Sequence, residues 1–368
     1  MKFLKIYLLL ALGLIINLSS TAQSNNYLTY GVEDGLIQSQ IEHLIQDHEG
    51  KLWIGTIGGL TIYDGVNFKS FTTKEGLSED WISSFHKDMN DNIWMGHWGG
   101  GITKYNKSKD QFEIIKLERD LQYRKIIKFI ELGKDDHLII TESAGIYRYA
   151  NNELKSYTGA LKSLDIKNAV YDKAHSLIWM ATGDGIQILN LSNNKVQGFI
   201  LNMQNGLPSN QYTSVAFALN NEIWFGTKNA GIVRFNKNLG IHEYTAGVDI
   251  SSKITRLTTA NGLTSNEIDQ LLGTSQHQVW IGTKNKGINT FHTQAQYMDL
   301  EDFKPGTIKV FGNSFELKYY NANTLFEDRE QNIWIGTEIG LNKYLGELFK
   351  IYDERNLLKN NLIWSTFI

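Results

Sequence analysis

The chain has 368 residues, enough for one large repeat domain or two ordinary ones. Its 36 basic and 39 acidic side chains leave a formal charge of -3, so no global basic field directs it to nucleic acid or an anionic membrane. The absence of cysteine excludes disulfides, thiolate metal sites and lipid attachment at an N-terminal Cys, while 33 Gly, two Pro and 12 % aromatic residues suit a sheet protein with many tight turns.

Residues 1–22 read as an export signal. Lys2 and Lys5 form a short basic region, Ile6 to Ile16 is an apolar stretch, and Ser20-Thr21-Ala22 supplies the small residues that a signal peptidase reads. About eleven apolar residues fall short of the roughly 20 that span a bilayer, so cleavage near Gln23 or Ser24 is expected rather than a membrane anchor. The implied compartment is the periplasm. Tyr27-Leu28-Thr29-Tyr30 has the character of an outermost strand that could pair with the last repeat and close a ring.

Ile41 to Asp47 then predicts a strand, His48-Glu49-Gly50 a tight turn, and Lys51 to Thr56 a second strand. After a turn at Ile57-Gly58-Gly59, Leu60 to Tyr63 and Phe68 to Thr72 complete a set of four. The second strand, Leu52-Trp53-Ile54-Gly55-Thr56, recurs along the chain. Its copies contain Trp94, Trp179, Trp224, Trp280 and Trp334, and a degenerate copy at Leu138 to Glu142 is read with Ile139 at the tryptophan place. Repeats roughly 40–56 residues apart indicate blades or helical arrays, and the β pattern selects blades. The expected fold is all-β: a seven-bladed β-propeller of four-stranded antiparallel blades over residues 23–360. Asn356 to Leu362 reads as the opening loop of a further repeat, with residues 361–368 its truncated start. The repeated Trp should fill the wedge between blades, and the Gly two places later should admit close approach of another chain segment.

The run Asp-x-x-Gly-x-Leu-Trp-Ile-Gly-Thr-x-x-Gly-Leu at Asp47 to Leu60 resembles the two-component regulator propeller repeat. The loop Gly-Leu-x-Ser-Asn-x-Ile at Gly262 to Ile268 is similar to that repeat's leading segment. Looser forms stand at Gly35 to Ile41 and from Gly206 to Asn210. The resemblance covers roughly residues 27–368. It implies the exported sensor portion of a hybrid two-component system, like the glycan-responsive sensors of Bacteroidetes-like bacteria. Such proteins commonly carry two propellers, a transmembrane helix and signalling domains, so this chain reads as the front of a longer sensor. Its implied partners are a small-molecule or oligosaccharide ligand and downstream signalling domains, with a homodimer formed through segments outside this chain also compatible.

Catalytic signals are weak. The nine His show no His-x-x-x-His or His-Glu-x-x-His spacing, and neither a Gly-x-Ser-x-Gly elbow nor a Walker-type loop occurs. Asp88 to Asn92 mimics the start of a calcium loop, but Ile93 stands where Gly is needed and Gly99 where Glu is needed, which leaves a hairpin turn. Gly99-Gly100-Gly101 is likewise read as a turn. No catalytic residue, metal ligand or cofactor is therefore expected.

Binding has a positional argument. Strand alternation places the loop before each first strand and the turn after each Trp strand on one face, where a rigid frame carries variable loops. The turns read as longer in copies two, five and six. Copy two replaces the usual Thr with His97, adds Trp98, and carries Trp81 in its leading loop. An aromatic beside polar groups suits sugar stacking, although Trp98 could equally cap the neighbouring blade. Glu142, Asp184, Lys228, Asn229, Lys284 and Asn285 complete the candidate ligand-binding set, each also readable as a solvated turn residue. Two alternatives stand beside a sensor: a protein-docking scaffold, and a lyase-like propeller enzyme using His97 and Glu142.

Overall fold

The computed structural model describes residues 27–117, 124–192, 196–219, 221–237, 248–293, 308–311 and 321–345. The expectations for residues 1–22 and 356–368 lie outside them. A body spans residues 29–344; a second unit comprises 1–28 and 345–368, of which Tyr27, Leu28 and Leu345 are described.

Seven antiparallel sheets of four strands follow one another along the chain. Blade 1 contains Ile41–Gln46, Leu52–Thr56, Gly59–Tyr63 and Phe68–Phe71. Blades 2 to 6 occupy 82–115, 126–156, 166–201, 212–257 and 268–311. Blade 7 takes Thr324–Glu327, Ile333–Gly336 and Leu341–Tyr344, and its fourth strand is Tyr27–Tyr30 from the other end of the sequence. Thr29 Oγ1 donates to Asn342 Oδ1 at 2.8 Å, and the Tyr30 ring lies 6.1 Å from that of Trp334. Each blade's first strand packs on that of the next, and the first strand of blade 7 packs on that of blade 1. The ring is closed, which removes free sheet edges between first and last blades.

One rule explains most of the core. All six repeat tryptophans are at most 4 % exposed. Each meets an aromatic on the third strand of the following blade: Trp53 with Tyr105, Trp94 with Tyr149, Trp179 with Phe235, Trp224 with Phe291, Trp280 with Tyr344 and Trp334 with Tyr63, at 5.0–6.3 Å between centroids. These pairs are the inter-blade wedge. Blade 3 lacks the Trp, and strand register corrects which residue replaces it. Leu138 pairs with Ile130 as Trp53 pairs with Ile45, so Leu138 holds the tryptophan place, one residue before Ile139. Its counterpart in blade 4 is the aliphatic Leu189, and both lie in one buried cluster. Between blades 3 and 4 both halves of the aromatic pair are thus aliphatic.

The leading Asp of the repeat is a structural partner of the Trp. Asp47, Asp88 and Asp328 each accept the indole N–H of the Trp six residues later, at 2.8–2.9 Å, and also bind backbone N–H groups of their own hairpin. The Thr that ends the second strand locks the next turn: Thr56, Thr141, Thr182, Thr227, Thr283 and Thr337 each donate Oγ1–H to the carbonyl of the Gly that closes the turn. The first strand of each of blades 1 to 6 carries a register shift after its first residue. Such bulges bend a strand where it lines a ring.

The repeated glycine answers to inter-blade contact. A Cβ on Gly55, Gly96, Gly226 or Gly336 would stand 2.6–2.8 Å from the isoleucine that opens the next blade: Ile82, Ile126, Ile268 or Ile41. Gly226→Ala should therefore cost about 1–3 kcal/mol by overpacking, read as a lower urea midpoint. A midpoint equal to the parent's would show that this interface has slack.

Candidate functional site

The two loop classes expected on one face are joined by a repeated backbone hydrogen bond. The N–H of the first turn residue donates to the carbonyl just before the blade's first strand in five blades: Trp98 to Trp81, Glu142 to Lys125, Gly183 to Asp165, Lys228 to Gln211 and Lys284 to Glu267, at 2.9–3.1 Å. Trp98, Glu142, Lys228 and Lys284 thus occupy equivalent positions around that face. This equivalence follows from Thr141, rather than Glu142, being the turn-locking residue of blade 3. The longer turns accordingly belong to blades 2, 3, 5 and 6, which adds blade 3 to those expected.

Blade 2 brings Trp81 and Trp98 together, with ring centroids 4.0 Å apart. Trp98 is 44 % exposed, and the Lys125 ammonium of the next blade lies 5.4 Å from its ring centroid. The pair therefore bridges blades 2 and 3 and still presents aromatic surface to solvent. Lys125 escaped sequence reasoning because nothing in its local pattern differs from a solvated loop lysine.

His97 is not on this surface. It is fully buried, and its Nε2 lies 2.9 Å from Thr103 Oγ1 inside blade 2. A side chain that replaces the turn-locking Thr points where that Thr points, inward. Burial lowers its pKa to about 4 and keeps the ring neutral. The His97–Glu142 pair required by a lyase-like reading does not converge on an open mouth.

The remaining candidates sit at the face with local partners. Glu142 is 3.6 Å from Lys167 Nζ of blade 4, which also contacts Asp165 at 2.6 Å. Burial opposes protonation of Lys167, but the Asp165 carboxylate prevails and its pKa is raised. Asp184 accepts from Ser163 Oγ at 2.6 Å, and Asn229 from Ser209 Oγ at 3.1 Å. Lys284 pairs with Glu267 at 3.0 Å, and the Asn285 N–H donates to Asn321 Oδ1 of the leading loop of blade 7. Lys228 is exposed. Beside Lys284, in the bulge of blade 6, is Asp269, another residue that sequence patterns did not single out. Burial raises its pKa to about 6 against the opposing Lys284 charge. A separate cleft of about 830 Å³ opens on the opposite face, between blades 1 and 2, lined by Asp47, His48, Lys51, Asp91, Tyr105 and Lys107 among others.

Comparison with known proteins agrees with this architecture. The family model described as two-component regulator propeller matches residues 35–58 and 316–338. Histidine kinase P4 of Formosa agariphila is 25 % identical over 246 residues, covering 62 % of this chain and 18 % of the kinase. The extracellular domain assigned to a hybrid two-component system of B. thetaiotaomicron superposes with a TM-score of 0.69 at 19 % identity, over 88 % of this chain and 41 % of that one. Virginiamycin B lyase from Staphylococcus aureus shares the fold with a TM-score of 0.61 at 12 % identity, over 86 % of this chain and 97 % of the lyase. The chain spans less than half the length of the kinase and of the extracellular domain. It is a seven-bladed β-propeller carrying the two-component regulator propeller repeat.

Proposed function

We propose that this propeller is the ligand-sensing portion of an exported two-component-type signalling protein, recognising an oligosaccharide or similar solute at the face that carries Trp81 and Trp98. One observation carries the reading: the paired tryptophans stand partly open to solvent, beside a lysine, on the face where the turn residues of several blades gather. An aromatic platform next to hydrogen-bonding groups suits a sugar ring. The matching repeat family and the fold of the extracellular domain support the sensor assignment, and the inward position of His97 favours binding over turnover. Contacts from Lys125 to Trp98 and from Lys167 to Glu142 link neighbouring blades, so a solute seated there would touch more than one blade. It would signal to segments beyond this chain only through a difference in affinity between two arrangements of the protein.

Calorimetry against a glycan panel tests this. For a glycan that binds, Trp98→Ala should weaken affinity by about 30-fold or more, corresponding to roughly 2 kcal/mol. The melting curve should stay close to the parent's. Unchanged affinity removes Trp98 from the site, and a large loss of stability makes it a blade cap.

A further inference from the structure

On the opposite face, where each blade's first two strands form a hairpin, two histidines break the repeat, His86 half-buried and His137 buried. His86 pairs with Trp94 across the first two strands of blade 2. The equivalent residues in the other blades are Ile45, Ile130, Val170, Ala216, Leu272 and Phe326. His137 opens the same second-strand run in blade 3, where other blades have Leu52, Ile93, Ile178, Ile223, Val279 and Ile333. An imidazole has replaced an apolar residue at both places.

The packing of blade 2 on blade 3 brings these two histidines to Glu131, which pairs with His137 across the first hairpin of blade 3. The three offer donor atoms that all lie within 4.8 Å of one another, with His86 Nε2 and Glu131 Oε2 at 3.8 Å. His137 is fully buried, its ring 4.4 Å from Trp94, and neither of its nitrogens has a hydrogen-bond partner; His86 Nε2 has none either. Unpartnered buried nitrogens cost free energy that a ligand bond would offset. Glu131 is already oriented, since its Oε1 accepts the Met89 N–H at 3.0 Å and leaves Oε2 facing the histidines. A route to solvent exists: His137 lines a cleft of about 420 Å³ together with Lys104, Asp135 and Tyr149, and His86 and Glu131 are partly exposed.

We propose that His86, Glu131 and His137 form a binding site for a divalent transition ion of the zinc class, clipping blade 2 to blade 3. Two imidazoles and one carboxylate suit zinc and its neighbours better than magnesium or calcium, which take oxygen ligands. Bonds of about 2.0–2.2 Å to three such donors need them roughly 3.3 Å apart, which small side-chain rotations supply. Three protein ligands leave a fourth position for water.

The test uses untagged protein with Zn²⁺ in calorimetry and Co²⁺ in visible absorption. One ion per chain should bind, raise the melting temperature and give the d–d bands of a low-coordinate cobalt site. His86→Leu and His137→Ile install residue types that other blades carry at these places, so both variants should fold, and both should lose affinity by roughly 100-fold or more. Glu131→Gln checks the third ligand without touching the core. Zinc bound no more tightly by the parent than by His86→Leu, or cobalt bands that survive in His86→Leu and Glu131→Gln, would overturn the site.

Discussion

Trp224→Ala is expected to lower the stability of the propeller by about 3–5 kcal/mol. The side chain is fully buried, its ring meets Phe291 of blade 6 at 5.0 Å, and the Arg234 guanidinium lies over both rings at 5.2 and 5.0 Å. Removing the indole empties the wedge between blades 5 and 6. It also leaves Arg234, paired with Glu222, facing a cavity. Closed rings of blades share their interfaces, so the loss should appear as one cooperative shift in guanidinium denaturation. A midpoint that does not move would mean that the two blades are held together by other contacts.

Asp88→Ala should cost roughly 3 kcal/mol at neutral pH. The carboxylate is buried and accepts from the Trp94 indole at 2.9 Å, from the Asn90 and Asn92 backbone N–H groups, and from the Asn92 amide. Truncation leaves an indole and two backbone donors without their acceptor, and each such group costs on the order of 1–3 kcal/mol unless water enters. The same network sets a pH dependence. Burial alone would raise the Asp88 pKa, but the hydrogen bonds from Trp94 and Asn92 outweigh it and hold the carboxyl below its ordinary range. A folded pKa below the unfolded value near 3.9 contributes stability that is fully present above that value and is lost as pH falls through the folded value. The gap between parent and Asp88→Ala should therefore be constant from about pH 5 to 7 and narrow below about pH 4. A gap that stays constant into strong acid would show that the carboxylate's charge contributes nothing.

The propeller was legible in the sequence because its signals are local and repeated. A Trp-x-Gly-Thr strand and a Gly-bounded turn recur, with substitutions, from blade to blade, an Asp six residues before the Trp recurs in three of them, and seven imperfect copies reveal the period. The N-terminal strand Tyr27–Tyr30 was recognisable for the same reason, since its pattern belongs to an outermost strand. The loop face too followed from alternation alone, which put Trp81 and Trp98 on one side, whereas the contact between their rings emerged only from the structure. Tertiary structure decided what a single repeat cannot show. The register of blade 3 shifts by one residue because Leu138, without a Trp to mark it, is read correctly only against its partner strand. His97 points inward because it takes the place of a Thr that locks a turn, an orientation set by three-dimensional equivalence and not by the polarity of the residue. Lys125 and Lys167 gain significance only from the blade alongside. The group of His86, Glu131 and His137 is the strongest case: its members come from different blades, so no linear spacing announces it. Repetition along the chain dictates the frame, whereas a site between blades exists only once neighbouring blades have packed together.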